Sequence, residues 1–174
     1  MTRRSKMITY FFEDYWNIND KDDENAQLSG IAIVRLSEFF GINFGSEIWN
    51  KFCLEVLTRP NYPRSAGLYL PSINGKNAKI ILPEYSPNIE NRETAGHEAS
   101  HFLHELVNPD GFFVEGVVSP QKLYRECIAT IGEKRFTGML KGNQYDAQRL
   151  IRLKPSEVYE KSNQLFKIRK ELTN

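Results

Sequence analysis

The chain has 174 residues, of which 40% are hydrophobic and 12% aromatic, and its formal net charge is +1. That length and composition suit a buried core and exclude a disordered chain, and the balanced charge gives no bulk attraction to nucleic acid or anionic membrane. The two cysteines, Cys53 and Cys127, lie far apart with no CxxC pair, which excludes a disulfide framework and leads us to expect a cytoplasmic protein.

Met7–Trp16 is rich in aromatics and reads as a strand or short helix. Glu13 and Asp14 interrupt its apolar run, which is too short for a signal peptide, and no other segment suits a bilayer span. Asn17–Asn25 is polar and acidic. It lacks the glycine and closing glutamate of a calcium loop and reads as a solvated helix start. Ala26–Phe40 has helical spacing, with Leu28, Ile31, Ala32, Arg35 and Leu36 sharing it and Gly41 as a stop. A second helix is expected from Ser46 to Leu57, where Ile48, Phe52 and Val56 form a stripe widened by Trp49 and Cys53. Thr58–Ser65 carries two prolines and reads as a loop. "GLYL" and "AKIIL" are β-prone and flank the turn residues "NGKN", which predicts a hairpin or two adjacent strands.

A helix is predicted from about Asn88 to Val107, with Pro87 after Ser86 marking its start and Asn108–Gly111 its end. Phe112–Val118 reads as an extended or loop piece. Ser119–Leu140 opens with Ser at the cap and Pro at the first helical position. Leu123, Cys127 and Ile131 make one face, widened by Tyr124 and Ile128, and Gly138 and Gly142 mark the end. Lys141–Lys154 is a polar connection with one helical turn. Pro155-Ser156 opens a last helix whose stripe is Val158, Leu165, Ile168 and Leu172.

All three histidines, His97, His101 and His104, fall on the first of these long helices, and His97-Glu98-Ala99-Ser100-His101 spells HExxH. On a helix, i and i+4 stand one turn apart on one face, so both imidazoles can reach one ion about 2 Å from each nitrogen, the zinc distance. Glu98 is rotated out of that shell, in a position to act as general base toward a bound water. His104 shares the face, but three ligands along one straight helix fit a tetrahedron poorly, so it is read as a supporting or packing residue. A third ligand must come from elsewhere. Cys127 lies on an apolar stripe, and Glu105 is too close along the same helix. Asp110 and Glu115 lie where the chain turns back, and Glu126 and Glu133 lie on the next helix. Glu126 is preferred because Ala129 and Thr130 beside it would let two helices approach closely.

HExxH followed by a glutamate on a second helix resembles the gluzincin metallopeptidases. The stretch from about Ala66 to Leu140 is similar to two small groups among them, the minigluzincins and the ImmA/IrrE-like peptidases. The resemblance implies that His97, His101 and Glu126 bind one zinc ion and that Glu98 is the base. It also implies that "NAKIIL" forms the cleft edge, offering main-chain groups to an extended peptide. The expected fold is α+β: a short β-sheet packed on the HExxH helix and a second glutamate-bearing helix, with further helices at both ends. Residues 1–174 would form one domain, with the catalytic core at about 66–140, a helical part at 1–60 and a terminal helix at about 155–174.

Thermolysin-like enzymes carry an aspartate four residues after the glutamate ligand, where this chain has Thr130, so the orienting role falls to Glu133 or a backbone carbonyl. Tyr124, Tyr145 and Tyr159 are oxyanion-donor candidates, each better read as structural. A zinc-dependent peptidase acting on peptides or proteins is the main reading. The alternative is a latent or non-proteolytic zinc-binding protein whose cleft is blocked by the C-terminal segment, within one chain or by exchange in a homodimer. The basic runs "RLIRLK" and "KIRK" read as solvated helix faces, with no strong nucleic-acid binding expected.

Overall fold

The computed structural model describes residues 24–43, 54–61, 63, 66–71, 78–113, 118–140 and 144–173. In chain order these form α1 (Glu24–Phe39), β1 (Leu54–Thr58), β2 (Leu68–Leu70), β3 (Ala78–Leu82), α2 (Ile89–Val107), α3 (Pro109–Phe112), α4 (Val118–Phe136), α5 (Ala147–Leu150), α6 (Pro155–Glu160) and α7 (Ser162–Thr173). The architecture is the expected α+β arrangement, a small sheet packed against helices with α2 and α4 at its centre.

The sheet has three strands in the order β1-β3-β2. β1 runs parallel to β3, with Leu54 opposite Ala78 and Val56 opposite Ile80. β2 runs antiparallel to β3, with Tyr69 opposite Ile80. This overturns the helix expected through Leu57. Leu54 and Val56 are buried at period two, the strand spacing, and parallel pairing with β3 satisfies their backbone groups. Residues 46–53 of that expected helix lie outside the described residues, as do Cys53 and the "NGKN" turn. Each fully buried Leu, Ile or Val here contributes about 1.5–3 kcal/mol of apolar burial.

β3 is therefore the central strand, and the sequence-based placement of "NAKIIL" at the cleft edge is corrected. β1 covers one side of β3, and β2 becomes the outer strand on the other. Among the described residues no strand pairs with the free edge of β2.

α2 is capped by Asn88, whose side chain accepts a hydrogen bond from the Asn91 amide at 2.9 Å, so the cap lies two residues beyond Ser86. Asn25 is fully buried, unlike the solvated helix start expected there. Its amide donates to Thr58 Oγ1 and to the Pro83 carbonyl and accepts from Asn91. One side chain thus ties α1, the end of β1, the exit of β3 and the start of α2 together.

α2 and α4 run in opposite directions. Gly96 lies against Phe136, Ser100 against Gly132, and His104 against Tyr124. A Cβ on Gly132 would overlap Ser100 Oγ, so the helices approach as closely as a residue without a side chain allows. α4 ends at Phe136, four residues before the expected Leu140. Gly138 follows at φ 76°, the left-handed conformation suited to a helix terminus.

The single terminal helix expected from Pro155 divides into α6 and α7 at Lys161. Val158, Leu165 and Ile168 are buried as their stripe predicted, and α7 packs on α4. No helix among the described residues is long and apolar enough to cross a membrane.

Candidate metal centre and cleft

His97, Glu98 and His101 sit in the middle of α2, and Glu126 projects from α4 across the helix pair. His97 Nε2 lies 3.1 Å from Glu126 Oε2, and His101 Nε2 lies 3.3 Å from Glu126 Oε1. One ligand atom from each of the three residues falls within 4.8 Å of the others. Ligands bound about 2.0–2.1 Å from a tetrahedral zinc stand about 3.3 Å apart. The two short contacts run to different oxygens of Glu126, so the cluster is consistent with one divalent ion once the three donor atoms draw together around it. The His-Glu-x-x-His pair and this glutamate form a triad consistent with a gluzincin-like zinc site. It would hold the ion through two imidazoles and one carboxylate.

The triad opens into a cavity of about 600 Å3. Gly67, Leu68 and Tyr69 form one wall, Thr94, His97, Glu98 and His101 the floor, and Phe112, Arg125, Glu126 and Glu133 the opposite wall. Gly67 comes so close to the floor that a Cβ there would stand 2.9 Å from Glu98 Cγ and 2.7 Å from a Thr94 methyl. The chain entering β2 thereby confines the Glu98 side chain.

Burial pushes the Glu98 carboxyl up to about 7; the charge on His97 opposes this, while Glu126 and Glu133 add to it. A carboxyl poised there suits proton transfer near neutral pH. Burial also pushes Glu126 upward, but hydrogen bonds from His101 and His97 outweigh it and hold this carboxyl well below the usual range. Burial lowers His101. His97 is raised although burial opposes it, because the Glu126 hydrogen bond and the neighbouring carboxylates favour its charged form.

The other sequence candidates do not join the triad. His104 is fully buried among aromatic rings, 4.5 Å from the Tyr124 ring centroid and 5.3 Å from that of Phe112. Neither of its ring nitrogens has a hydrogen-bond partner among the described residues. Glu105 is buried and accepts from the Tyr69 hydroxyl at 2.9 Å. Asp110 is exposed on α3, Cys127 is buried in the core, and Glu115 lies outside the described residues. Glu133 lines the cavity without entering the ligand cluster. It does not orient His101, whose Nδ1 has no hydrogen-bond partner among the described residues.

Tyr124, Tyr145 and Tyr159, read from the sequence as structural before oxyanion donors, are not among the residues lining the cavity. Tyr124 donates to the Leu150 carbonyl at 2.6 Å and accepts from the Leu153 amide, which makes it a structural clamp. Tyr145 donates to Glu171, and Tyr159 is 40% exposed. Among the described residues none of α5, α6 or α7 lines the cavity; within one chain these helices pack into the core.

Sequence reasoning missed Gly67, Gly132 and Arg125. A lone glycine or arginine carries no motif, and only the packing of β2, α2 and α4 shows what each one touches. No family model, no curated protein and no solved structure matches the chain, so the site is read from its own geometry.

Proposed function

We propose that the protein is a gluzincin-type zinc metallopeptidase that hydrolyses peptide bonds. The observation that supports this most directly is the His97–His101–Glu126 triad with Glu98 beside it at the floor of an open cavity. Zinc bound there would activate a water and polarise the scissile carbonyl. His97, His101 and Glu126 would hold the ion. Glu98 takes the proton from the attacking water and returns it to the leaving amine. Gly67 keeps the Glu98 carboxylate against the floor. The free edge of β2 offers backbone groups to an extended peptide, and its neighbour β3 anchors that edge in the sheet.

The test combines metal analysis with hydrolysis of a quenched fluorogenic peptide library. One zinc per chain is expected, lost in His101→Ala and retained in Glu98→Gln. The Glu98→Gln protein should lose roughly 100- to 10,000-fold in turnover, the range for removal of a general base. Full turnover in Glu98→Gln would remove that residue from the role. A wild-type protein that takes up no zinc would remove the metallopeptidase reading.

A further inference from the structure

Arg125 precedes Glu126 on α4, and its side chain lines the cavity. The guanidinium lies over the Phe112 ring, 4.8 Å from its centroid. Phe112 also packs edge-on against His101, at 6.3 Å between ring centroids. One aromatic ring thus separates the guanidinium from a proposed zinc ligand. Among the described residues Arg125 has neither an ion pair nor a hydrogen bond; it lies over that ring and beside the Glu126 charge. Among the described residues it is the only lysine or arginine lining the cavity, which it shares with His97, His101, Glu98, Glu126 and Glu133.

A half-buried guanidinium with five unused donors, held over an aromatic ring, is able to take a planar anion in two parallel hydrogen bonds. Surface arginines elsewhere in the fold stack in a similar way, Arg92 on Phe136 and Arg135 on Phe39, but neither lines this cavity. The three carboxylates of the cleft are already engaged or confined. Glu126 is held between two histidines, Glu98 is packed under Gly67, and Glu133 forms no ion pair with Arg125. Among the described residues no carboxylate stands at ion-pair distance from Arg125, so its donors are open to an anion that enters the cavity.

We infer that Arg125 is a specificity residue that binds a carboxylate of the substrate within about two residues of the bond under attack. This rests on the peptidase reading and deepens it: the preferred substrates carry a free C-terminus or an Asp or Glu side chain at that place. Both sources present the same group to the guanidinium, and they make different enzymes. The first trims chain ends, and the second cuts beside acidic residues.

The experiment measures binding and does not depend on turnover. Zinc-loaded protein is titrated calorimetrically with thiol probes in two matched pairs: mercaptoacetyl-leucine against its carboxamide, and mercaptoacetyl-glutamate α-amide against mercaptoacetyl-glutamine α-amide. The thiol anchors each probe at the metal, so the comparison within a pair reads only the carboxylate. At least one acidic probe should bind roughly tenfold or more tightly than its neutral partner, as expected for a charge-assisted pair. The pair that shows the preference identifies the source of the carboxylate. Arg125→Gln should abolish the preference while keeping one zinc per chain. Arg125→Lys, which keeps charge without the fork, should retain part of it and serves as the variant if Arg125→Gln fails to fold. Equal binding within both pairs, or a preference that survives Arg125→Gln, would overturn the inference while leaving the peptidase reading intact. A wild-type protein without zinc would overturn both, and metal analysis reads that separately.

Discussion

Gly132→Ala tests whether the helix spacing creates the metal site. The new Cβ would overlap Ser100 Oγ and stand 2.9 Å from Ser100 Cβ. Carbon atoms settle at about 3.5–4.0 Å, so even after the hydroxyl rotates away, α2 and α4 must separate by roughly 0.6 Å or more. His97 and His101 flank Ser100 on α2, and Glu126 lies six residues before Gly132, about 9 Å along α4. The separation therefore passes directly to the 3.1 and 3.3 Å contacts that bring Glu126 to the two histidines. Overpacking costs about 1–3 kcal/mol, and alanine in place of a helical glycine returns about 1 kcal/mol. Net stability should fall by only about 0–2 kcal/mol. Zinc affinity should fall at least about tenfold, because binding constellations tolerate only about 0.5 Å of displacement. Competition with a chromogenic chelator measures the affinity, and urea denaturation with chelator present measures the stability. Ser100→Gly in the same chain removes both opposing atoms and should restore affinity. Unchanged zinc affinity in Gly132→Ala would refute the reasoning, whatever happened to stability.

Four further outcomes are expected. His104 is buried and its pKa is held well below the ordinary value, first by burial and then by the His101 and Arg125 charges, so the folded protein keeps it neutral and the unfolded chain protonates it below about pH 6.5. Its stabilising contribution is complete above that pH and is lost as pH falls. Between pH 7.5 and 5.5, chelator-treated wild type should lose about 1.4 kcal/mol more than His104→Phe in urea titrations, and equal losses would discard the assignment. Asn25→Ala leaves the Pro83 carbonyl and Asn91 amide without a buried partner and should lower unfolding free energy by about 2–4 kcal/mol; a loss under 1 kcal/mol would mean that water or neighbouring groups take over those bonds. Tyr124→Phe should cost about 1–3 kcal/mol of stability with zinc affinity and turnover per folded molecule unchanged, whereas selective loss of turnover would return it to the oxyanion role. Gly67→Ala should keep zinc but slow peptide hydrolysis, because the methyl group displaces Glu98, and wild-type rates would show that this packing does not position the base.

HExxH was legible because one element carries it. Helix geometry alone brings His97 and His101 to one face and sets Glu98 beside them, so the spacing of five consecutive residues places three of the four residues of the site. The same holds for the Gly138 stop, the Val158–Leu165–Ile168 stripe and the strands "GLYL" and "AKIIL", all set by periods of a few residues. The third ligand could only be narrowed to a helix face. Whether Glu126 or Glu133 reaches the histidines depends on how far α4 slides along α2. That register is set by Gly132 against Ser100 and Gly96 against Phe136, contacts between residues more than 30 positions apart. Strand order was hidden for a related reason. Leu54 and Val56 fit the end of a helical stripe as well as a strand, until a parallel partner in β3 supplies the hydrogen bonds that decide between them. Once β1 occupies that side, β3 is central and β2 becomes the cleft strand. Local periodicity thus determined which elements form and where the chemistry lies. Tertiary packing decided which carboxylate completes the triad, which strand lines the cavity and which arginine, among the described residues, has no ion pair there, because each depends on surfaces that meet only when the chain is folded.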